Sequence, residues 1–233
     1  MLFRSLFSKI QSMFQPLRAF MWMGLLAASL PPAAVDASVL KPPAGAKVAM
    51  VMFEDLQSPE CARANPLVWE TASAHHIPVV LHDFPLPRHN WAFDAAVWAR
   101  YFDQTSVRLG NEFRKFIYAN QAQITQDSLQ QWVKRFGEEN NAAVTLPNDT
   151  DGKLADKVKA DFALGQHIGV EHSLTIWVVS NSEVSQPLVD ELKDRDQLNQ
   201  LIDDMLKKAQ AASAKTISPK KGAAPKKSVA TKY

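Results

Sequence analysis

One thiol carries most of the chemistry available to this 233-residue chain. Cys61 is the single cysteine. No intrachain disulfide can therefore form, and no metal site can be built from cysteines. Three residues before Cys61 stands Ser58-Pro59, a strong helix start. The serine can cap, and proline suits the first helical position because its missing N–H would be unpaired there anyway. A thiol one turn inside a helix N-terminus has two readings. It is a monothiol that forms mixed disulfides once its thiolate is stabilised by the helix end, or it is a buried small hydrophobe, the commoner fate of a lone cysteine. Ser58 has no Gly-x-Ser-x-Gly setting, and nothing in the sequence places a histidine and an acid beside it. It reads as a cap and not as a hydrolytic nucleophile.

The other polar candidates carry less. His75-His76, His82 and His89 lack a recurring ligand spacing, and adjacent histidines leave a helix end in different directions. Asn148-Asp149-Thr150-Asp151-Gly152 imitates part of a calcium loop, but Pro147 and Val158 fall where ligands one and twelve belong. It reads as a turn that caps the next helix. Eight glycines include no Gly-x-Gly or Walker pattern, so no nucleotide cofactor is expected, and no metal.

Around this turn the chain reads as an α/β domain. Lys47–Phe53 is a short apolar run suited to a buried strand. A helix from Ser58 to His75 carries Leu67, Val68 and Trp69 and is expected to kink near Pro66. Ile77–Asp83 is the next strand. Three amphipathic helices follow between Asn90 and Asn140, marked by Trp91, Trp98 and Phe102, then Phe113, Phe116 and Ile117, then Leu129, Trp132 and Phe136. Lys153–Gly165 is a further helix, Val184–Val189 a closing strand, and Asp194–Ala209 a last helix. From residue 210 the chain is a Lys/Ala/Pro-rich tail expected to stay unfolded.

Phe53-x-Asp55…Pro59-x-Cys61, with Pro66 five residues later, resembles the active-site turn of thioredoxin-fold thiol–disulfide oxidoreductases, most closely the DsbA-like branch. That pattern reads Phe-x-Asp-aromatic-x-Cys-Pro-x-Cys, and Ser58 stands where its first cysteine would be. Gly110 to Gln121 is similar to the branch's Gly-x-Phe-Trp and Leu-Phe-x-Asn-Gln segments, within its helical insertion. Ile168 to Val179 is similar to its Gly-Val-x-x-Thr-Pro-Thr-Phe-x-Val loop, with Ser173 at the Thr and Leu174 at the cis-proline. The resemblance implies a thioredoxin-like fold over about residues 47–209, with the insertion at about 90–165. It also implies a degenerate site, Ser58-Pro59-Glu60-Cys61, facing a substrate groove at Ser173, Leu174 and Thr175. Dithiol exchange needs an activated first thiol and a second to resolve the mixed disulfide. A serine hydroxyl supplies neither function. A cis peptide before a residue other than proline costs about 2.5–4 kcal/mol, so the bond before Leu174 is expected to be trans. His89 and Pro87 fall in the branch's Pro…His stretch, which implies a structural role.

Charge and hydropathy set the setting. Residues 1–37 read as an export signal or an anchor. Arg4, Lys9 and Arg18 precede an apolar run at 19–30 that is short for a membrane span, no acid appears before Asp36, and Val35-Asp36-Ala37 offers a cleavage site. A linker at 38–46 follows. Residues 38–206 hold 15 Lys and Arg against 23 Asp and Glu, a net of −8, whereas 207–233 holds eight lysines and no acid. An acidic body is not the footprint of a nucleic-acid-binding domain. The basic tail is expected to be solvated, or to touch anionic lipid or cell-wall polymers weakly. These features predict an extracytoplasmic, periplasmic protein, held in the inner membrane if 19–30 is retained. The expected function is a non-catalytic, chaperone-like module for extended segments of exported proteins. The rival is a monothiol oxidoreductase or isomerase working through Cys61.

Overall fold

A computed structural model describes residues 37–189 and 195–217. The expected signal or anchor segment, except its last residue Ala37, and the chain beyond residue 217 lie outside it. Strand β1 (Val48–Glu54) is buried at every position, which explains why its sequence is a continuous apolar run and not an alternating one. It sits inside a four-stranded sheet of order β2-β1-β3-β4, with β2 (Val79–Asp83), β3 (Thr175–Ser180) and β4 (Leu188–Val189). β1 pairs in parallel with β2, from Met50↔Val79 to Glu54↔Asp83, and antiparallel with β3, from Val48↔Ser180 to Phe53↔Thr175.

The alternation of β1 divides the core. Val48, Met50 and Met52 join one cluster with α1 (Pro59–Ala74) and α6 (Arg195–Ile217), through Val68, Leu198 and Ile202. Ala49, Val51 and Phe53 join a second cluster with Phe84, Ile168 and Trp177. Between β2 and β3 lies the helical insertion: α2 (Ala92–Thr105), α3 (Val107–Asn120), α4 (Leu129–Glu139) and α5 (Lys153–His167). Phe102, Phe113 and Phe136 meet at its centre with ring centroids 4.9–5.2 Å apart. The aromatic spacing in the sequence is thus core packing. α5 crosses the opposite face so closely that a Cβ on Gly165 would lie 2.6 Å from the Phe84 ring.

Several boundaries differ from the sequence expectation. α1 runs unbroken through Pro66. β2 starts at Val79, because Ile77 N–H is spent on the Ala72 carbonyl at the end of α1 and Pro78 has no N–H. The closing strand shrinks to Leu188–Val189 plus a bridge at Val184. There the Ser185 hydroxyl replaces a backbone acceptor for Val178 N–H, at 3.0 Å. α6 continues eight residues beyond Ala209. The stretch Gln210-Ala211-Ala212-Ser213-Ala214 is rich in strong helix formers, and the Ser213 hydroxyl donates to the Ala209 carbonyl at 2.9 Å. The part of the expected unfolded tail up to residue 217 is therefore helical.

Candidate functional site

The turn between β1 and α1 is fixed from three sides. Asp55, fully buried, accepts from Gln57 N–H and Leu86 N–H and from the His89 ring at 2.7 Å each. Gln121, just past α3, donates to the carbonyls of Leu56 and Ser58 at 2.9 and 3.1 Å. Gln57 accepts from Trp91 N–H at 2.9 Å. His89 therefore has the structural role that the sequence implied.

Ser58 is the N-cap of α1 and accepts from Cys61 N–H at 3.4 Å, with Pro59 beginning the helix. Its hydroxyl lies 3.2 Å from both the Ser173 carbonyl and Glu60 Oε2, with one proton to donate between them. Glu60 pairs with Arg63 at 2.9 Å. Its carboxyl is held below the usual range, first by its own backbone N–H and then by the Arg63 and Ser58 hydrogen bonds.

Cys61 is completely solvent-excluded, and its Sγ accepts from Asp55 N–H at 3.4 Å. Burial pushes the thiol up to about 12, and the Asp55 N–H and Ser58 hydroxyl offset this only in part. The helix N-terminus does not deliver an activated thiolate here, because desolvation of the charged form outweighs it.

The loop opposite departs from expectation twice. The Ser173–Leu174 peptide is cis, not trans. The trans preference is local, whereas here tertiary contacts decide the geometry. Leu174 packs in the main core, Ser173 holds Ser58 through its carbonyl, and the Thr175 hydroxyl donates to the His172 carbonyl at 2.7 Å. Second, Ser58, Ser173, Leu174 and Thr175 are each 1–4% exposed. Among the described residues the turn and the loop meet through the Ser58 hydroxyl, and the residues expected to line a groove are buried.

Beneath the turn is a cluster that the sequence reading passed over. Tyr118 Oη donates to Glu54 Oε2 at 2.8 Å, and Arg114 Nε lies 3.0 Å from Glu54 Oε1. Arg114 grips both carboxylate oxygens of Asp103 at 2.9 and 3.0 Å. Arg100 bonds Asp83 and Asp161, and Asp161 also meets His82 at 2.6 Å. Glu54 is pushed up to about 7, burial outweighing Arg114. Asp83 is raised for the same first reason despite Arg100. The available signal was Glu54-Asp55 closing an apolar run, and Arg114 four residues before Tyr118 on an aromatic face.

The histidines go to separate partners: His75 to Thr71 and Asp203, His82 to Asp161, and His89 to Asp55. Asp149 accepts from Leu154 N–H and Ala155 N–H at 3.0 and 2.8 Å. That stretch is therefore a cap for α5.

The thioredoxin family model matches residues 43–217. No curated protein sequence matches the chain. Among solved structures, α-DsbA1 of Wolbachia pipientis superposes with a TM-score of 0.60 at 17% identity, covering 80% of this chain and 98% of that one. The thiol-disulfide exchange protein α-DsbA2 of the same organism gives 0.56 at 16%, covering 71% and 85%. ScsC of Proteus mirabilis gives 0.57 at 16%, covering 76% of each. Taken with the β1–Ser58–α1 turn and the four-helix insertion, these matches place the chain in the thioredoxin family, with a DsbA-like fold.

Proposed function

We propose that this protein is an exported DsbA-like binding module whose thiol chemistry is silent, and that it engages extended segments of other exported proteins. The supporting observation is the state of the turn: a buried thiol pushed up to about 12, beside a serine hydroxyl that is tied to the facing loop. A dithiol cycle has no first thiol to begin it. The rival, a monothiol enzyme that borrows its second thiol from a partner, needs Cys61 reachable by a disulfide, whereas its side chain is fully buried in this conformation. A periplasmic location fits the basic, apolar leader in the sequence. Among the described residues no helix is long and apolar enough to cross a membrane, and residues 19–30 lie outside them.

Insulin reduction with excess dithiothreitol tests the reading, comparing the wild type with Ser58→Cys/Leu174→Pro. The wild type should show only the uncatalysed rate, while the double variant, with thiols at 58 and 61, should accelerate it. A wild type as fast as the double variant ends the proposal. A parallel assay follows the wild type slowing aggregation of a reduced, carboxymethylated protein.

A further inference from the structure

With the turn closed against its facing loop, a binding module needs another surface, and one opens beside it. α1 and α3 flank a groove of about 440 Å³ lined by Ala62, Asn65, Pro66, Trp69, Lys115, Tyr118 and Ala119. It begins at the residue after Cys61. It ends two residues before Gln121, which holds the turn. From Ala62 to Trp69 the helix advances ~10 Å, room for about three residues of extended chain.

We propose that this groove binds an extended peptide segment carrying an apolar side chain followed by a carboxylate. Ala62, Pro66, Ala119 and the rings of Trp69 and Tyr118 supply apolar walls for the side chain. The Tyr118 hydroxyl is already committed to Glu54. Asn65 is 4% exposed, and its amide nitrogen has no hydrogen-bond partner. A buried amide left unsatisfied is costly, and a carboxamide carries both N–H donors and a carbonyl acceptor, so it can pair with the C=O and the N–H of a peptide backbone. That pairing favours a polypeptide over a fatty acid, whose chain would leave Asn65 unpaired. Among the described residues of the lining, the only formal charge is the Lys115 ammonium, 5.7 Å from the Trp69 ring centroid. It contacts Glu112 on the same helix at 3.3 Å yet stays 45% exposed, so an incoming carboxylate can share it. Neither Asn65 nor Lys115 bears on Cys61 chemistry. The assignment rests on the binding-module reading and supplies its surface.

The test is fluorescence anisotropy of two fluorescein-labelled peptides, Gly-Leu-Asp-Gly and Gly-Leu-Asn-Gly, titrated with the full chain. The Asp peptide should bind about two- to fivefold more tightly, the range that a partly exposed ion pair supports. Lys115→Glu should reverse the preference toward a Gly-Leu-Lys-Gly peptide, a gain that misfolding cannot mimic. Trp69→Ala should weaken every peptide, and Cys61→Ala none. Equal affinity for the Asp and Asn peptides, or an unchanged preference in Lys115→Glu, overturns the assignment. So does decanoate displacing the peptide while itself binding more tightly, or concentration-dependent dimerisation that Trp69→Ala abolishes, which would give the groove to a second copy of the chain. If the wild type and Lys115→Glu hold a carboxymethylated unfolded protein equally well, the groove is wrong and the binding-module reading stands. If the wild type holds no unfolded protein although the Asp peptide binds as stated, the binding-module reading fails and the groove stands.

Discussion

The Tyr118 phenol donates to Oε2 of Glu54 at 2.8 Å and so ties the helical insertion to the end of the central strand. The bond persists whether Glu54 is ionised or not, but the surroundings favour the neutral acid, whose pKa is raised from 4.5 to about 7. The sign follows from linkage. Between those values the folded chain holds a proton on Glu54 that the unfolded chain has released, so stability falls as pH rises from about 4.5 through 7. Glu54→Gln keeps an acceptor for Tyr118 and removes the titration. Chemical denaturation across pH should show the wild type losing on the order of a few kcal/mol in this window relative to the variant. Parallel curves would mean that Arg114 keeps Glu54 ionised.

The thiol makes a second prediction. A group pushed up to about 12 is ionised in roughly one molecule in ten thousand at pH 8, and it is sealed from solvent besides. Alkylation of Cys61 in native buffer should proceed only through opening of the fold. Its rate should therefore rise steeply with sub-denaturing urea and reach the free-thiol rate on unfolding. Rapid native alkylation with an apparent pKa below ~8.5 would return Cys61 to the monothiol reading.

Ser58 caps α1 and bridges to Ser173, and Ser58→Ala removes both contacts. The cap alone is worth about 0.5–2 kcal/mol, and the Ser173 carbonyl is left to find another donor. The unfolding free energy should fall by that much, seen as a lower urea midpoint with an unchanged slope. A stability within error of wild type would show that the turn is held by Gln121 and Asp55 alone.

Much of this was readable in advance, for stated reasons. Ser58-Pro59 announced its helix because capping and the missing N–H are local properties, and the aromatic spacing from Trp98 to Phe136 announced three amphipathic helices. What stayed hidden is non-local. The bond between Ser58 and Ser173 spans 115 residues, so no window of sequence contains the closed site. Likewise nothing in the sequence around Glu54 marks its burial, because its partners Arg114 and Tyr118 arrive from α3. The peptide before Leu174 follows contacts made by that whole loop. The extension of α6 was local, however: its alanines were outweighed by the lysines around them in a reading by composition.

Gly110 gives the sharpest test of the buried charges. A Cβ there would fall 1.8 Å from Asp103 Oδ1 and 3.0 Å from Arg114 Nη1, so alanine must push aside the carboxylate that Arg114 holds bidentately. Arg114 is 2% exposed and cannot follow into water. Gly110→Ala should therefore destabilise by about 1–3 kcal/mol, the usual cost of overpacking, against the gain in helix propensity that alanine normally brings at such a position. The cause can be isolated with a double-mutant cycle. In an Asp103→Ala background the obstructing carboxylate is gone, and Gly110→Ala should be neutral or stabilising. An equal penalty in both backgrounds would place the collision elsewhere and remove Asp103 as the reason for the glycine.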